Sequence, residues 1–351
     1  PPGKRLTAKR HFSAEGAMRT GALWPIALML GVLFAQPTLA EDRPQLSLPI
    51  ACEPHKTCFI QNYVDLDPGP GVRDYACGRA TYDKHSGVDF RILSAEAAKS
   101  QVPVLAAADG TVKNTRDGVE DIFFKKAKPE EVAGRECGNG VIIDHGDGWE
   151  TQYCHLKRGS VRVAKGQAIK RGDRLGDVGF SGMADFAHVH LSVRHDGKIV
   201  DPFLPDSIDG ACNNGATGPG LWEPAAAAAF PYRGGEMITA GFTGAPPDFN
   251  KLEIDHRDVA ALTPLSPALL LYGRFINLLK GDQIHFAATG PEGKLFDETA
   301  AALDRSKATY VAFAGKRRGD KPWPAGHYDG RVELVRDNGV IATNVVAFDL
   351  K

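Results

Sequence analysis

Turn-forming glycine, aspartate and asparagine recur so often between about Ile50 and Pro205 that only short strands fit between them. Examples are Val102 to Ala107, Gly140 to His145, Glu150 to Leu156 and Val189 to Arg194. This is the pattern of an antiparallel β domain. Gly146-Asp147-Gly148 joins two of these runs in the manner of a hairpin, so strand alternation predicts that Tyr153 and His155 share one face while Cys154 points to the other. A nucleophilic thiol at Cys154 is excluded on that ground. Between Thr115 and Glu136 the composition turns charged, with Lys125, Lys126, Lys128, Glu130 and Glu131 clustered, which predicts an excursion from the sheet.

Residues 213–235 are rich in Gly, Pro and Ala, including Pro224 followed by five alanines, and are read as a linker. Beyond it, Leu269 to Ile276, Asp282 to Ala288, Thr309 to Phe313, His327 to Val335 and Val340 to Phe348 are evenly spaced strand candidates. They predict a small β-sandwich, immunoglobulin-like in pattern, over 236–351. That domain holds no constellation of acids, thiols or metal ligands. Trp323 and Tyr328 are expected in its core rather than on an exposed aromatic patch. The fold class expected for the whole is all-β.

The chain has 351 residues, and Lys+Arg at 42 against Asp+Glu at 43 leave a formal charge of -1. No global field exists to hold nucleic acid or an anionic membrane, so a partner must be recognised locally. Met18-Arg19, the apolar run Ala22 to Ala35 and small residues at Thr38 and Ala40 read as an export signal over 18–40, cleaved after Ala40. The run is interrupted by Pro25 and is shorter than the roughly 18 residues of a spanning helix, so no membrane span is expected after cleavage. Residues 1–17 are read as an over-long gene model and 41–73 as an N-terminal extension. Cys52, Cys58, Cys77, Cys137, Cys154 and Cys212 suggest disulfides in an oxidising compartment, periplasmic or extracellular. No C-x-x-C pair supports a cysteine-zinc site. Cys137 with Cys154 is the one pairing suggested by adjacent strands.

Two segments carry the chemistry: His85-Ser86-Gly87-Val88-Asp89-Phe90 and His188-Val189-His190-Leu191. Residues i and i+2 of a strand share a face, so His188 and His190 project together. A hydrolytic zinc site has three protein ligands and an open position for water. His85, Asp89 and one of the later pair meet that count. The helical H-E-x-x-H signature is absent, so another proton acceptor is required, and histidine suits the task. Either segment alone is common by chance.

Together with Val104 to Val112, Val141 to Gly148, Tyr153-Cys154-His155-Leu156, Lys165-Gly166, Gly172-Asp173 and Gly176 to Gly182, they resemble the LytM/lysostaphin-type zinc endopeptidases of family M23 over about Asp74 to Pro205. The resemblance implies a LytM-type peptidase domain, set at 74–212, with one zinc ion per chain on His85, Asp89 and His190. It implies that His155 and His188 assist a zinc-activated water as base and as stabiliser of the tetrahedral intermediate, in an order left open. The implied substrate is the stem or bridge peptide of peptidoglycan. Ser192 stands where the family often has Glu, and Phe180-Ser181-Gly182 replaces a threonine-glycine wording. The alternative is a non-catalytic LytM-like activator of cell-wall amidases, which usually lacks ligands. A cell-wall protein partner for the C-terminal domain is an expectation by analogy alone. A biotinyl or lipoyl carrier is disfavoured because the Gly146-Asp147-Gly148 tip has no lysine. His145 is read as structural, and His55, His195, His256, His285 and His327 have no partner motif.

Overall fold

The structure, a computed structural model, describes residues 43–123, 129–207, 210–213 and 218–351. The export signal expected at 18–40, the segment 1–17, and Lys125, Lys126 and Lys128 lie outside the described residues. Among those described, no helix is long and apolar enough to cross a membrane.

The N-terminal part contains β1 (Cys58–Asn62), β2 (Val88–Ile92), β3 (Pro103–Leu105), β4 (Gly110–Arg116), β5 (Asn139–Gly146), β6 (Trp149–Leu156), β7 (Ala168–Ile169), β8 (Arg174–Asp177), β9 (His188–His195) and β10 (Lys198–Val200). One antiparallel sheet runs β1-β2-β9-β6-β5-β4-β7, with β10 alongside β9, while β3 and β8 form a separate pair. Alternation decides its two faces. Val88, Phe90 and Ile92 of β2 join Val189, Leu191 and Val193 of β9 in one core with Val141, Ile143 and Tyr153. Asp89 and Arg91 face the other way, yet both are buried. The 41–73 extension supplies β1, whose Phe59 and Ile60 are buried at the sheet edge.

The chain continues through β11 (Glu236–Thr243), β12 (Ala268–Leu278), β13 (Gln283–Gly290), β14 (Gly293–Thr299), β15 (Lys307–Arg317), β16 (Gly326–Arg336) and β17 (Gly339–Leu350). Sheets β11-β12-β15 and β14-β13-β16-β17 pack face to face on Leu271, Phe275, Phe286, Val332 and Leu334. The result is a two-sheet sandwich, so the whole chain is predominantly antiparallel β. Tyr328 is buried beside Leu269 and Leu350 and donates to Pro324 O, while Trp323 packs against that cluster.

Short helices punctuate the strands: α1 (Ala95–Ala98), α2 (Pro129–Val132), α3 (Pro224–Ala229) and α4 (Phe249–Ile254). Pro224 and its five alanines form α3 rather than an open linker. Proline fits the first helical position, where its missing N–H costs no hydrogen bond, and alanine is the best helix former. On either side Trp222 and Phe230 insert into the first core, with ring centroids 6.0 and 5.6 Å from Phe90. Composition suggested a spacer, but two large aromatic side chains anchor it. The disulfide Cys77–Cys212 ties down the preceding loop, and Cys52–Cys58 and Cys137–Cys154 complete the set.

The sandwich is fastened to the N-terminal sheet. Phe59 and Leu93 meet Ile238 and Ile276 in an apolar cluster. Arg91, 0% exposed, donates to Glu253 Oε2 of α4 at 2.8 Å and to Gln61 Oε1, and its guanidinium lies over the Phe186 ring. Arg274, equally buried, donates to Leu93 O and Leu252 O. Removing one partner of a buried pair leaves an uncompensated charge, so Glu253→Ala is expected to cost about 3–5 kcal/mol of unfolding free energy. Denaturant unfolding measures this, and a loss under about 1 kcal/mol would show that water reaches the pair.

Asp201, 4% exposed, caps the turn after β10 by accepting from the Phe203 and Leu204 amides. Burial nevertheless pushes its carboxyl up to about 7. The folded state therefore holds a proton that the unfolded chain releases near its ordinary value of about 3.9. The stabilisation is complete at acid pH and is lost as pH rises through 7. Asp201→Asn should remove this dependence. The expected result is a difference in unfolding free energy, variant minus parent, that grows from pH 5 to pH 8, and a constant difference would count against it.

Candidate metal centre and active site

Strand register assembles the site. Asp89 of β2 lies opposite His190 of β9, and Arg91 opposite His188. On the other flank of β9, Cys154 of β6 lies opposite His190 and Tyr153 opposite Leu191. Residues opposed across a ladder share a face, so Cys154 joins Asp89 and His190 on the site face while Tyr153 enters the core. This reverses the facing expected from simple alternation.

The cause is a bulge. Val141 opposes Tyr153 and Asn139 opposes Leu156, leaving Cys154 and His155 together against Gly140. His155 takes a φ of 63°, unusual for a residue with a Cβ. The extra residue brings His155 to the same hollow as Cys154 and His190. Cys154 is no nucleophile, but the reason is its disulfide to Cys137 rather than its direction.

His85 arrives on the loop before β2. Its Nδ1 lies 2.7 Å from Tyr63 O, and a carbonyl only accepts, so Nδ1 carries the proton and Nε2 keeps a lone pair. That Nε2 lies 3.1 Å from Asp89 Oδ1 and 3.1 Å from His190 Nδ1. Gly87 permits the approach, because a Cβ there would sit 2.5 Å from His190 Nε2 and 2.5 Å from Leu191 O. The ligand-capable atoms of His85, Asp89 and His190 lie within 4.8 Å of one another, the one such cluster among the described residues. Two imidazole nitrogens and a carboxylate oxygen, all on largely buried side chains, form a donor set that fits a divalent ion such as zinc.

Outer contacts orient these donors. Asn62 Nδ2 donates to Asp89 Oδ2 at 2.8 Å, and His190 Nε2 pairs with Ser192 Oγ at 2.9 Å. Ser192, noted in the sequence only as a departure, was detectable because i+2 on a strand shares the face of His190. Asn62 gave no such signal, since it reaches the site on β1, from outside the matched motifs.

His155 and His188 stand beside the cluster with ring centroids 4.6 Å apart. Each has Nδ1 against a backbone carbonyl, Ser181 O at 2.8 Å and Phe186 O at 2.8 Å, so Nδ1 is protonated and Nε2 is the basic nitrogen. His188 Nε2 is 3.4 Å from Asp89 Oδ1. The Ser181 carbonyl is held in place because its hydroxyl donates to Leu156 O and accepts from Asn139 N. Burial, together with the nearby His188 and His190, keeps His155 well below the usual imidazole range and hence neutral.

His145 Nδ1 donates to Asp109 O at 2.6 Å and its Nε2 meets Thr151 Oγ1 at 2.8 Å, tying β5 to the turn before β4. It takes no place in the cluster. His55 pairs with Glu236, His195 stacks on Trp149, and His256 meets Ser94. His285 and His327 bond carboxylates within the sandwich. The charged excursion turns back onto the fold through Asp121, which accepts from the Arg158 and Phe180 amides.

An antiparallel β-sheet that gathers two histidines and an aspartate around one point, with two further histidines alongside, has the make-up of a metallopeptidase domain. Residues 83–202 match Peptidase family M23. An uncharacterized metalloprotease of Haemophilus influenzae is 31% identical over 131 residues, 36% of this chain and 22% of the relative. The peptidoglycan DD-endopeptidase ShyA of Vibrio cholerae is 31% identical over 117 residues, 33% of this chain and 22% of the relative. The chain thus spans about a fifth of the length of these curated relatives. A zinc containing peptidase from Vibrio cholerae superposes at a TM-score of 0.31 with 22% identity, covering 45% of this chain and 39% of the other.

The outer contacts have a measurable consequence. Asn62→Ala or Ser192→Ala should each weaken metal affinity by about 10- to 100-fold with the fold retained. Competition against a chromophoric chelator reads this directly, and unchanged affinity would reduce both contacts to packing.

Proposed function

We propose that this chain is an exported zinc endopeptidase that hydrolyses peptide cross-links of bacterial peptidoglycan. The observation that carries the reading is the distribution of nitrogen lone pairs. His85 presents Nε2 to the Asp89–His190 pair, while His155 and His188 each keep a basic Nε2 beside the same point. A site of ligands alone, as a structural metal would need, has no use for the second pair.

His85, Asp89 and His190 are the proposed zinc ligands, one ion per chain. A zinc ion held there would supply Lewis acidity toward the scissile carbonyl and lower the pKa of water. The chain's own residues do the rest. Asn62, Tyr63 O and Ser192 orient the donors. Of His155 and His188, one accepts the proton of the attacking water at Nε2, and the other, when protonated at Nε2, donates a hydrogen bond to the charge that develops on the carbonyl oxygen. Their Nδ1 protons, fixed on Ser181 O and Phe186 O, keep those nitrogens aimed without motion during the reaction. The substrate follows from the relative whose name places it on peptidoglycan. Export is supported by three disulfides, which persist in oxidising compartments.

The test compares zinc content and soluble muropeptide release from purified sacculi for the parent, His85→Ala and His188→Ala. The parent should hold one zinc ion and cleave. His85→Ala should lose both, whereas His188→Ala should keep the metal and lose cleavage by about 100-fold or more. Metal binding without cleavage of any sacculus would favour a non-catalytic amidase activator.

A further inference from the structure

The carbonyls that aim His155 and His188 are held in different ways. Ser181 O, which takes the His155 Nδ1 proton, belongs to a residue whose hydroxyl bonds Leu156 O and Asn139 N, so the N-terminal sheet fixes it unaided. Phe186 O, which meets His188 Nδ1 at 2.8 Å, lies in the loop that enters β9. Its position depends on its ring. That ring is 4.4 Å from the His188 ring and tilted to it by 30°, and the Arg91 guanidinium lies over it, 4.9 Å from the centroid. The neighbouring Ala187 O accepts from Ile92 N at 3.0 Å, which ties the same loop to β2 just beyond Arg91.

The place of Arg91 is decided partly by the other domain. Gln61 of β1 and Ile92 O accept from it within the N-terminal sheet, but the carboxylate that balances its charge is Glu253 of α4, at 2.8 Å. That helix is itself pinned. Asp248 caps its start by accepting from the Asn250 and Lys251 amides, and Arg274 of β12 donates to Leu252 O. A guanidinium 0% exposed cannot turn to water when an acceptor is withdrawn. It must shift toward the acceptors that remain, and the aromatic face beneath it loses its cover. Contact thus runs unbroken from Glu253 through Arg91 and Phe186 to His188 Nδ1.

We propose that Glu253 is a positioning residue for His188. The C-terminal sandwich, which supplies none of the clustered side chains, sets the direction of His188 Nε2 through Arg91 and Phe186. The part of His188 in turnover rests on the proposed peptidase function, whereas the placement of its ring does not. The sandwich is thereby a working part of the catalytic site.

Variants of the full chain, each assayed well below its unfolding midpoint, test this. Glu253→Ala should lower kcat on a soluble cross-linked peptide by about tenfold or more, with KM and zinc content within about twofold. Glu253→Gln keeps an oxygen acceptor for Arg91 and should recover most of the rate. Ile238→Ala weakens the apolar contact with Phe59 and Leu93 and leaves Arg91 alone. It should lower thermal stability yet keep kcat within about twofold of the parent. In a Phe186→Leu background, Glu253→Ala should cost no further rate, because the ring that transmits the change is gone.

A readout independent of cleavage is the His188 ring in protein made with isotope-labelled histidine, its signal identified by its absence in His188→Gln. The parent should carry an Nδ1 proton protected from exchange, and Glu253→Ala should lose that protection. Unchanged protection or unchanged kcat in folded Glu253→Ala overturns the proposal, as does an equal loss of kcat in Ile238→Ala or a full further loss in the Phe186→Leu background. A parent that cleaves nothing, while Glu253→Ala still loosens His188, would sink the peptidase reading and leave the positioning in place.

Discussion

A carboxylate only 2% exposed, Asp89, governs the architecture around it. An ionised group out of water costs several kcal/mol unless charges and hydrogen bonds surround it. Here Asn62 on β1 donates to one oxygen and His190 on β9 meets the other, while His85 on a loop and His188 on β9 close in beside them. No local segment could provide it. The neighbouring order β1-β2-β9 is the arrangement that brings all four to one oxygen pair, and the same convergence creates a donor set for a metal.

The second buried charge, Arg91, extends this logic along the same face of β2. Its guanidinium is satisfied by Gln61 from β1 and by Glu253 from the sandwich, against the ring of Phe186. Phe186 in turn offers its carbonyl to His188. The domain contact and the orientation of a site histidine thus share one residue. Packing at the domain boundary and geometry at the cluster are parts of one polar layer on the sheet.

Much of this was legible in the chain. The strands around His145, His155 and His190 and most of the sandwich strands follow from turn residues and alternation, within a few positions of the observed ends. The cluster residues were legible because ligand side chains at i and i+2, or grouped in one short loop, leave a local imprint. Cys137 and Cys154 were paired from strand adjacency alone, and they are bonded. The facing of Cys154 and His155 was not legible, since a one-residue bulge inverts alternation without changing composition. The segment 213–235 misled for a related reason. Gly, Pro and Ala signal openness, while the two aromatics that anchor it are isolated in sequence.

The sequence by itself determined the β class, the two short segments whose side chains meet in the cluster, and the later run of strands that forms the sandwich. Each is a local property, set by period, spacing or residue type. Only the tertiary structure decided that His155 turns toward the cluster, that Asn62 and Ser192 contact its donors, and that the sandwich packs against β2 through Arg91 and Glu253. These depend on contacts between residues far apart in the chain, where burial and the pairing of charge, rather than propensity, select the arrangement.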